Sequence, residues 1–87
     1  MTYSVRVAPS AARRLAENLP ESVAAACVEF IFSALKDNPQ RVGAPLRAPF
    51  EGQHRARRGE YRVRYRIDET NNVVIVLDVD HRRDAYR

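Results

Sequence analysis

The chain has 87 residues, 45% of them hydrophobic, and 15 Lys and Arg against 11 Asp and Glu give a formal net charge of +4. That length suits one small core spanning 1–87 and excludes a second folded unit; a domain of this size buries only about 60–65% of the surface its unfolded form exposes, so a partner that covers apolar surface is expected. No apolar run approaches the roughly 20 residues of a membrane span, residues 1–7 alternate without the apolar stretch of a signal peptide, and a single cysteine, Cys27, supports neither an intrachain disulfide nor a thiolate zinc site. The chain therefore reads as cytoplasmic, with no membrane partner.

The positive charge is placed unevenly. Residues 1–40 balance four cations with four carboxylates, whereas residues 41–87 hold eleven arginines against seven carboxylates. Six arginines fall between Arg55 and Arg66, and arginine's planar fork suits phosphate. A G+C-rich genome accounts for arginine over lysine but not for this clustering.

Taken in order, Tyr3 to Val7 alternates with Tyr3, Val5 and Val7 on one face, which predicts a strand that Pro9 ends. Ser10 stands where it would cap a helix through Asn18, with Ala12, Leu15 and Leu19 on its apolar face. Asn18-Leu19-Pro20 ends it, and Pro20 with Glu21 opens a second helix running to about Lys36, in which Val23, Cys27, Phe30, Ile31, Ala34 and Leu35 follow helical spacing. Asp37 to Gln40 reads as a turn, and Val42 to Gly52 as an ordered surface connector broken by prolines and glycines.

Beyond Gly52 the period becomes two. His54 to Arg58 is a short basic strand, Gly59-Glu60 a turn, and Tyr61 to Ile67 alternates so that Tyr61, Val63, Tyr65 and Ile67 face the core and Arg62, Arg64 and Arg66 face away. Asp68 to Asn72 is a hairpin loop, and Val73 to Val79 is apolar on both faces, as a central strand is. The fold class is α+β: an N-terminal strand, a helical hairpin, then a three-stranded antiparallel sheet with helices on one face and the other face free and basic.

The hairpin brings Arg55 and Arg57 beside Arg62 and Arg64, and the last strand is expected to deliver His81 and Arg82 at the edge of the same face. Like charges so gathered repel unless an anion is intended there, and a nucleic-acid backbone is the usual anion. Tyr86 is the ring placed to stack on a base. The bland alternative makes Arg62, Arg64 and Arg66 a solvated strand face paired with Asp78, Asp80 or Asp68, and His81 a satisfied surface group. The three isolated glycines form no phosphate loop, and no metal-ligand spacing or Ser/His/Asp order appears. Metal-free RNA cleavage remains compatible, because the substrate supplies its own 2′-hydroxyl and the protein need only orient it, neutralise phosphate charge and move protons. His81 alone among these side chains ordinarily titrates near neutrality.

The run Gly52-Gln53-His54-Arg55-Ala56-Arg57-Arg58-Gly59-Glu60-Tyr61-Arg62-Val63-Arg64-Tyr65-Arg66-Ile67, followed by Asp80-His81-Arg82-Arg83-Asp84-Ala85-Tyr86, resembles the RelE branch of the RelE/ParE bacterial toxins. The resemblance implies a microbial RNase-like fold and a type II toxin that cleaves mRNA in the ribosomal A site. It implies no cofactor, and a cognate antitoxin that wraps the toxin and joins it in repressing their operon, so that operator DNA is met only through that complex. Carried over by position, Arg55 and Arg57 hold or activate the reacting nucleotide, Arg62 stabilises the scissile phosphate, Arg82 acts on the leaving group and Tyr86 orients a base. His81 stands where relatives carry histidine or lysine, and Arg47, Arg58, Arg64 and Arg83 are expected to bind RNA. Asp80 departs from the small residue common there, and its carboxylate would either raise the His81 pKa or repel the message. Two rivals stay open: a ParE-like gyrase poison, and an inactive module that only binds RNA or antitoxin.

Overall fold

The structure, a computed structural model, describes residues 3–81. Strand β1 covers Ser4–Val7; helix α1, Pro9–Arg13, continues as a wider π-type helix over Arg14–Asn18; and α2, Glu21–Phe30, continues likewise over Ile31–Leu35. A short helix α3, Pro39–Val42, leads to β2, Ala44–Pro45, and then β3, Gln53–Arg58, β4, Tyr61–Asp68, and β5, Val73–His81. The strands form one five-stranded sheet in the order β1-β5-β4-β3-β2. β1 runs parallel to β5 and the other neighbours are antiparallel. The expected three-stranded sheet thus grows at both edges. β1 joins it directly, and two residues of the connector pair with His54 and Arg55, in an edge position where Pro45 loses nothing by lacking an N–H.

Both helices bury residues four apart: Ala11, then half-buried Leu15 and Leu19, and in the second Val23, Cys27, Ile31 and Leu35. On an α-helix such a repeat drifts about 40° per turn, and the wider π-type turn takes up that drift. Ala11 therefore occupies the core position expected of Ala12, which is exposed. Ser10 does not cap: Ala8 is the extended residue before Pro9, and the Ser10 hydroxyl donates to the Leu77 carbonyl at 2.9 Å.

The helices cover one sheet face, where Ala56, Tyr61, Val63, Tyr65, Val74, Val76 and Val79 complete the core. Tyr65 anchors the connector to it. Its hydroxyl donates to the Pro39 carbonyl at 2.5 Å and its ring stacks on His54, centroids 5.5 Å apart. Gly43 passes so close that a Cβ there would collide with the Tyr65 hydroxyl and sit 2.8 Å from the Arg55 carbonyl oxygen. Gly59, at φ 51°, supplies the positive dihedral needed by the two-residue turn between β3 and β4.

The register between β4 and β5 slips once. Arg64 stands opposite Asp78 but Tyr65 opposite Val76, so Leu77 is an extra residue, a β-bulge. Val74 and Val76 face the core before it and Val79 after it.

Burial raises the Cys27 thiol from 9.0 to about 12 and the Tyr65 phenol from 10.0 to about 12. Both groups are neutral when protonated and folding favours that form, so their contribution is complete below the lower of these ordinary values and is lost as pH rises toward the folded ones. We expect the urea midpoint to be insensitive to these groups below about pH 9 and to fall between about pH 9 and 12. The fall should be shallower in Tyr65→Phe; an equally steep loss in that variant would count against the buried phenol.

Candidate nucleic-acid interface

The outer face of the sheet follows from the register. Arg57, Arg62 and Asp80 form one cross-strand row; Arg55, Arg64 and Asp78 form the next; Gln53, Arg66, Ile75 and Arg6 form a third. Arg57 opposes Arg62 and Arg55 opposes Arg64, so four guanidinium groups occupy two adjacent rows with carboxylates only at the β5 end. Removal from water, then Arg62 and Arg57 and, last, Arg64, hold the Arg55 guanidinium below its ordinary pKa against the opposing pull of Asp80. The Arg62 Nε is buried and has no hydrogen-bond partner.

The carboxylates are tied from the side. β1 ends opposite Val76, leaving the rest of that β5 edge to the first helix. Arg14 reaches around it, with Nη1 3.1 Å from an Asp80 oxygen and Nε 3.7 Å from Asp78. Arg64 donates to Gln53 Oε1 at 2.7 Å, approaches Asp78 at 3.9 Å and lies against the Phe50 ring, 5.5 Å from its centroid. Of the expected pairings only Arg64 with Asp78 falls within ion-pair distance; Asp80 is engaged by Arg14.

Arg55, Arg57, Arg62 and Arg64 are therefore brought together as expected. His81 is not. Its partner is Tyr61, on the helix-facing side, because alternation from Val79 turns Asp80 outward and His81 inward. The Asp80 carboxylate accordingly shares the arginine face rather than the His81 side. Arg58 also pairs with Tyr61; its guanidinium sits 4.8 Å from the Phe30 centroid and donates to the Arg57 carbonyl at 2.8 Å. Arg47 is exposed in the connector. Arg82, Arg83 and Tyr86 lie outside the described residues. Beside the cluster, Val42, Gly43, Ala44, Pro45 and Leu46 with Arg55, Arg57 and Arg58 line a depression of about 440 Å³ along the β3 edge.

Arg14, Gln53 and Phe50 escape sequence reasoning. Arg14 lies 64 and 66 residues from its two carboxylates, beyond any local pattern. Phe50, the one aromatic ring in the surface connector from Val42 to Gly52, is the signal that was present.

Like charges directly opposed across strands destabilise a sheet by about 0.2–1 kcal/mol per pair. Arg55→Gln should therefore raise the stability of the isolated protein by about 0.5 kcal/mol at low salt, with the gain shrinking at roughly 0.5 M salt. Thermal melts at two ionic strengths check this; an unchanged or lower Tm at low salt would mean the cluster carries no repulsive strain.

Residues 5–86 match the family described as ParE toxin of type II toxin-antitoxin system, parDE. The chain is 49% identical over 85 residues to Toxin RelE of Mycobacterium tuberculosis, covering 98% of this chain and 87% of that protein. It is also 49% identical to Toxin RelG of the same organism over 87 residues, 100% of this chain and 99% of that protein. A chain of the RelBE2 toxin–antitoxin complex from Mycobacterium tuberculosis superposes with a TM-score of 0.90 at 48% identity, covering 94% of this chain and 100% of that one. The fold thus agrees with these likenesses, and the chain belongs to the RelE/ParE superfamily of type II toxin–antitoxin toxins, on its RelE side.

Proposed function

We propose that the chain acts as one unit over 1–87, a ribosome-dependent mRNA endonuclease that cuts the message in the ribosomal A site and so stops translation in the cytoplasm. The observation that carries this reading is the cluster of Arg55, Arg57, Arg62 and Arg64 on one sheet face, with the Arg62 Nε unpartnered. Such a cluster is costly in isolation and suited to a phosphate on which charge grows during reaction.

The substrate's 2′-oxygen attacks the adjacent phosphorus in line while the bond to the 5′-oxygen breaks. The 2′-hydroxyl gives up a proton, the departing oxygen gains one, and the products are a 2′,3′-cyclic phosphate and a 5′-hydroxyl. Arg62 stabilises the nonbridging oxygens, Arg55 and Arg57 hold the reacting nucleotide in the attacking geometry, and Arg64 with Arg47 contacts the backbone. Arg82 at the leaving group, Tyr86 on a base and Arg83 on the backbone are assigned by family resemblance. His81, turned to the other side of the sheet, is given no proton-transfer role, and Arg58 is given none at the phosphate. The nucleophile belongs to the substrate, so this route calls for no cofactor.

Primer extension on a reporter mRNA in a translating extract tests this, with wild-type protein and Arg62→Ala, with and without ribosomes. Cuts confined to the translated frame, requiring ribosomes and reduced about 100- to 1,000-fold by Arg62→Ala, are expected. Intact message would overturn the nuclease; gyrase-dependent DNA breakage would then indicate the ParE-like activity.

The partner proposed is a cognate antitoxin with an acidic, partly disordered segment that folds over the arginine face, and operator DNA is reached only through that complex. The relative seen in the RelBE2 complex supports such a partner. Binding only the folded toxin, it should raise Tm by mass action, and more so at low salt. A complex melting no higher than the free protein would refute it.

A further inference from the structure

Phe50 is 41% exposed, a large apolar side chain on the surface of the connector between α3 and β3. It does not hang free. Its N–H donates to the Arg47 carbonyl at 2.9 Å, its carbonyl accepts from the Gln53 N–H at 3.1 Å, and the Leu46 N–H closes the loop onto the Gln53 carbonyl at 2.9 Å. The ring lies against the Arg64 guanidinium, which Gln53 and Asp78 hold on its other sides. Arg64 belongs to the row that contains Arg55 and lies next to the row of Arg57 and Arg62. A fixed aromatic plate with a cation at its back therefore stands beside the arginine cluster, with two-fifths of its surface in water.

We infer that Phe50 is a base-stacking platform for the RNA bound on this face: a nucleobase lies on the exposed side of the ring while the adjoining phosphates engage the arginines. This rests on the reading of that face as the RNA site. The chemistry favours a base over other apolar groups, because a base brings a π-face and a phosphate together and both receptors are present here. The Arg64 cation draws electron density from the ring and strengthens stacking with an electron-rich purine, so purines should bind ahead of pyrimidines.

The chain contains no tryptophan, so Phe50→Trp introduces a single tryptophan, selectively excited apart from the tyrosines, at the proposed platform. Uncleavable 2′-deoxy-substituted oligonucleotides should quench it on binding, purine-rich ones most, while an abasic oligonucleotide of equal charge should bind without quenching. Binding followed by anisotropy of a labelled oligonucleotide should weaken about tenfold in Phe50→Ala, within the range produced by losing one base stack. Phe50→Leu, which keeps apolar bulk on Arg64 but has no π-face, should weaken it similarly, and Phe50→Tyr should restore it; a merely structural role would be met by Leu. Unchanged affinity in Phe50→Ala and Phe50→Leu, or no quenching by an oligonucleotide that binds, overturns the platform while the RNA face stands. Failure of the wild-type protein to bind any oligonucleotide, whether free or held in the A site of a programmed ribosome, overturns both, and a loss confined to antitoxin affinity would make Phe50 a partner anchor instead.

Discussion

The bulge at Leu77 decides what each side of the sheet is. Under strict alternation β5 would place Val74 and Val76 on the same side as Asp78 and Asp80, and turning those valines to the helices would bury two carboxylates beneath an apolar layer at several kcal/mol each. The extra residue removes that conflict. Val74, Val76 and Val79 enter the core, while Asp78 and Asp80 emerge opposite Arg64 and Arg62. The same slip leaves the Leu77 carbonyl on the strand edge, where the Ser10 hydroxyl takes it, seating the first helix so that Arg14 reaches both carboxylates. One inserted residue thus sets the core, the charge of the outer face and the position of the helix that tunes that charge.

The arginine face is held by the core behind it. Tyr65, bonded to the Pro39 carbonyl and stacked on His54, fixes the connector against β3, and Gly43 allows its backbone to approach that of Arg55. Arg55 therefore projects from a strand braced on both edges, by β4 and by the connector. This bracing makes electrostatic strain tolerable: two opposed arginine pairs cost roughly 1 kcal/mol together, which is small against the burial of Tyr65, Ile31, Leu35 and the β5 valines. Arg14 moderates the arrangement by occupying Asp80, which would otherwise be free to neutralise Arg62.

What the sequence disclosed and what it concealed divide along the range of the interactions. The Tyr/Arg alternation of β4 is purely local, and it placed Arg62 and Arg64 opposite the core; the two-residue turn at Gly59-Glu60 then brought Arg55 and Arg57 beside them. Helix spans were also legible, but their phase was not, since a four-residue apolar repeat fits an α-helix and a π-type turn almost equally until packing chooses Ala11 over Ala12. His81 was misplaced for a comparable reason: in a run as apolar on both sides as Val73 to Val79, nothing local marks which face is inner or where the register slips. β2, only two residues long, exists because Tyr65 and Gly43 draw the connector onto the sheet, a tertiary cause. Arg14 and Phe50 owe their places to contacts distant in sequence or to loop closure, and periodicity carries neither.

The separation of His81 from the guanidinium cluster bears on how such a face would work. A group that titrates near neutrality is absent from the outer rows among the described residues, where arginines stay charged at any physiological pH. Arginines can hold a phosphate, bend its substituents into line and stabilise added negative charge, but they are poor at accepting a proton. A face so built draws its rate from charge placement and geometry, and it requires a substrate whose nucleophile is already attached and nearly in position. A ribosome presenting a single codon in a fixed, extended form meets that requirement better than free RNA, whose own flexibility would cost the alignment. The same fixed charge, which cannot be switched off by a modest change of pH, leaves an acidic partner covering the face as the physical means of silencing it.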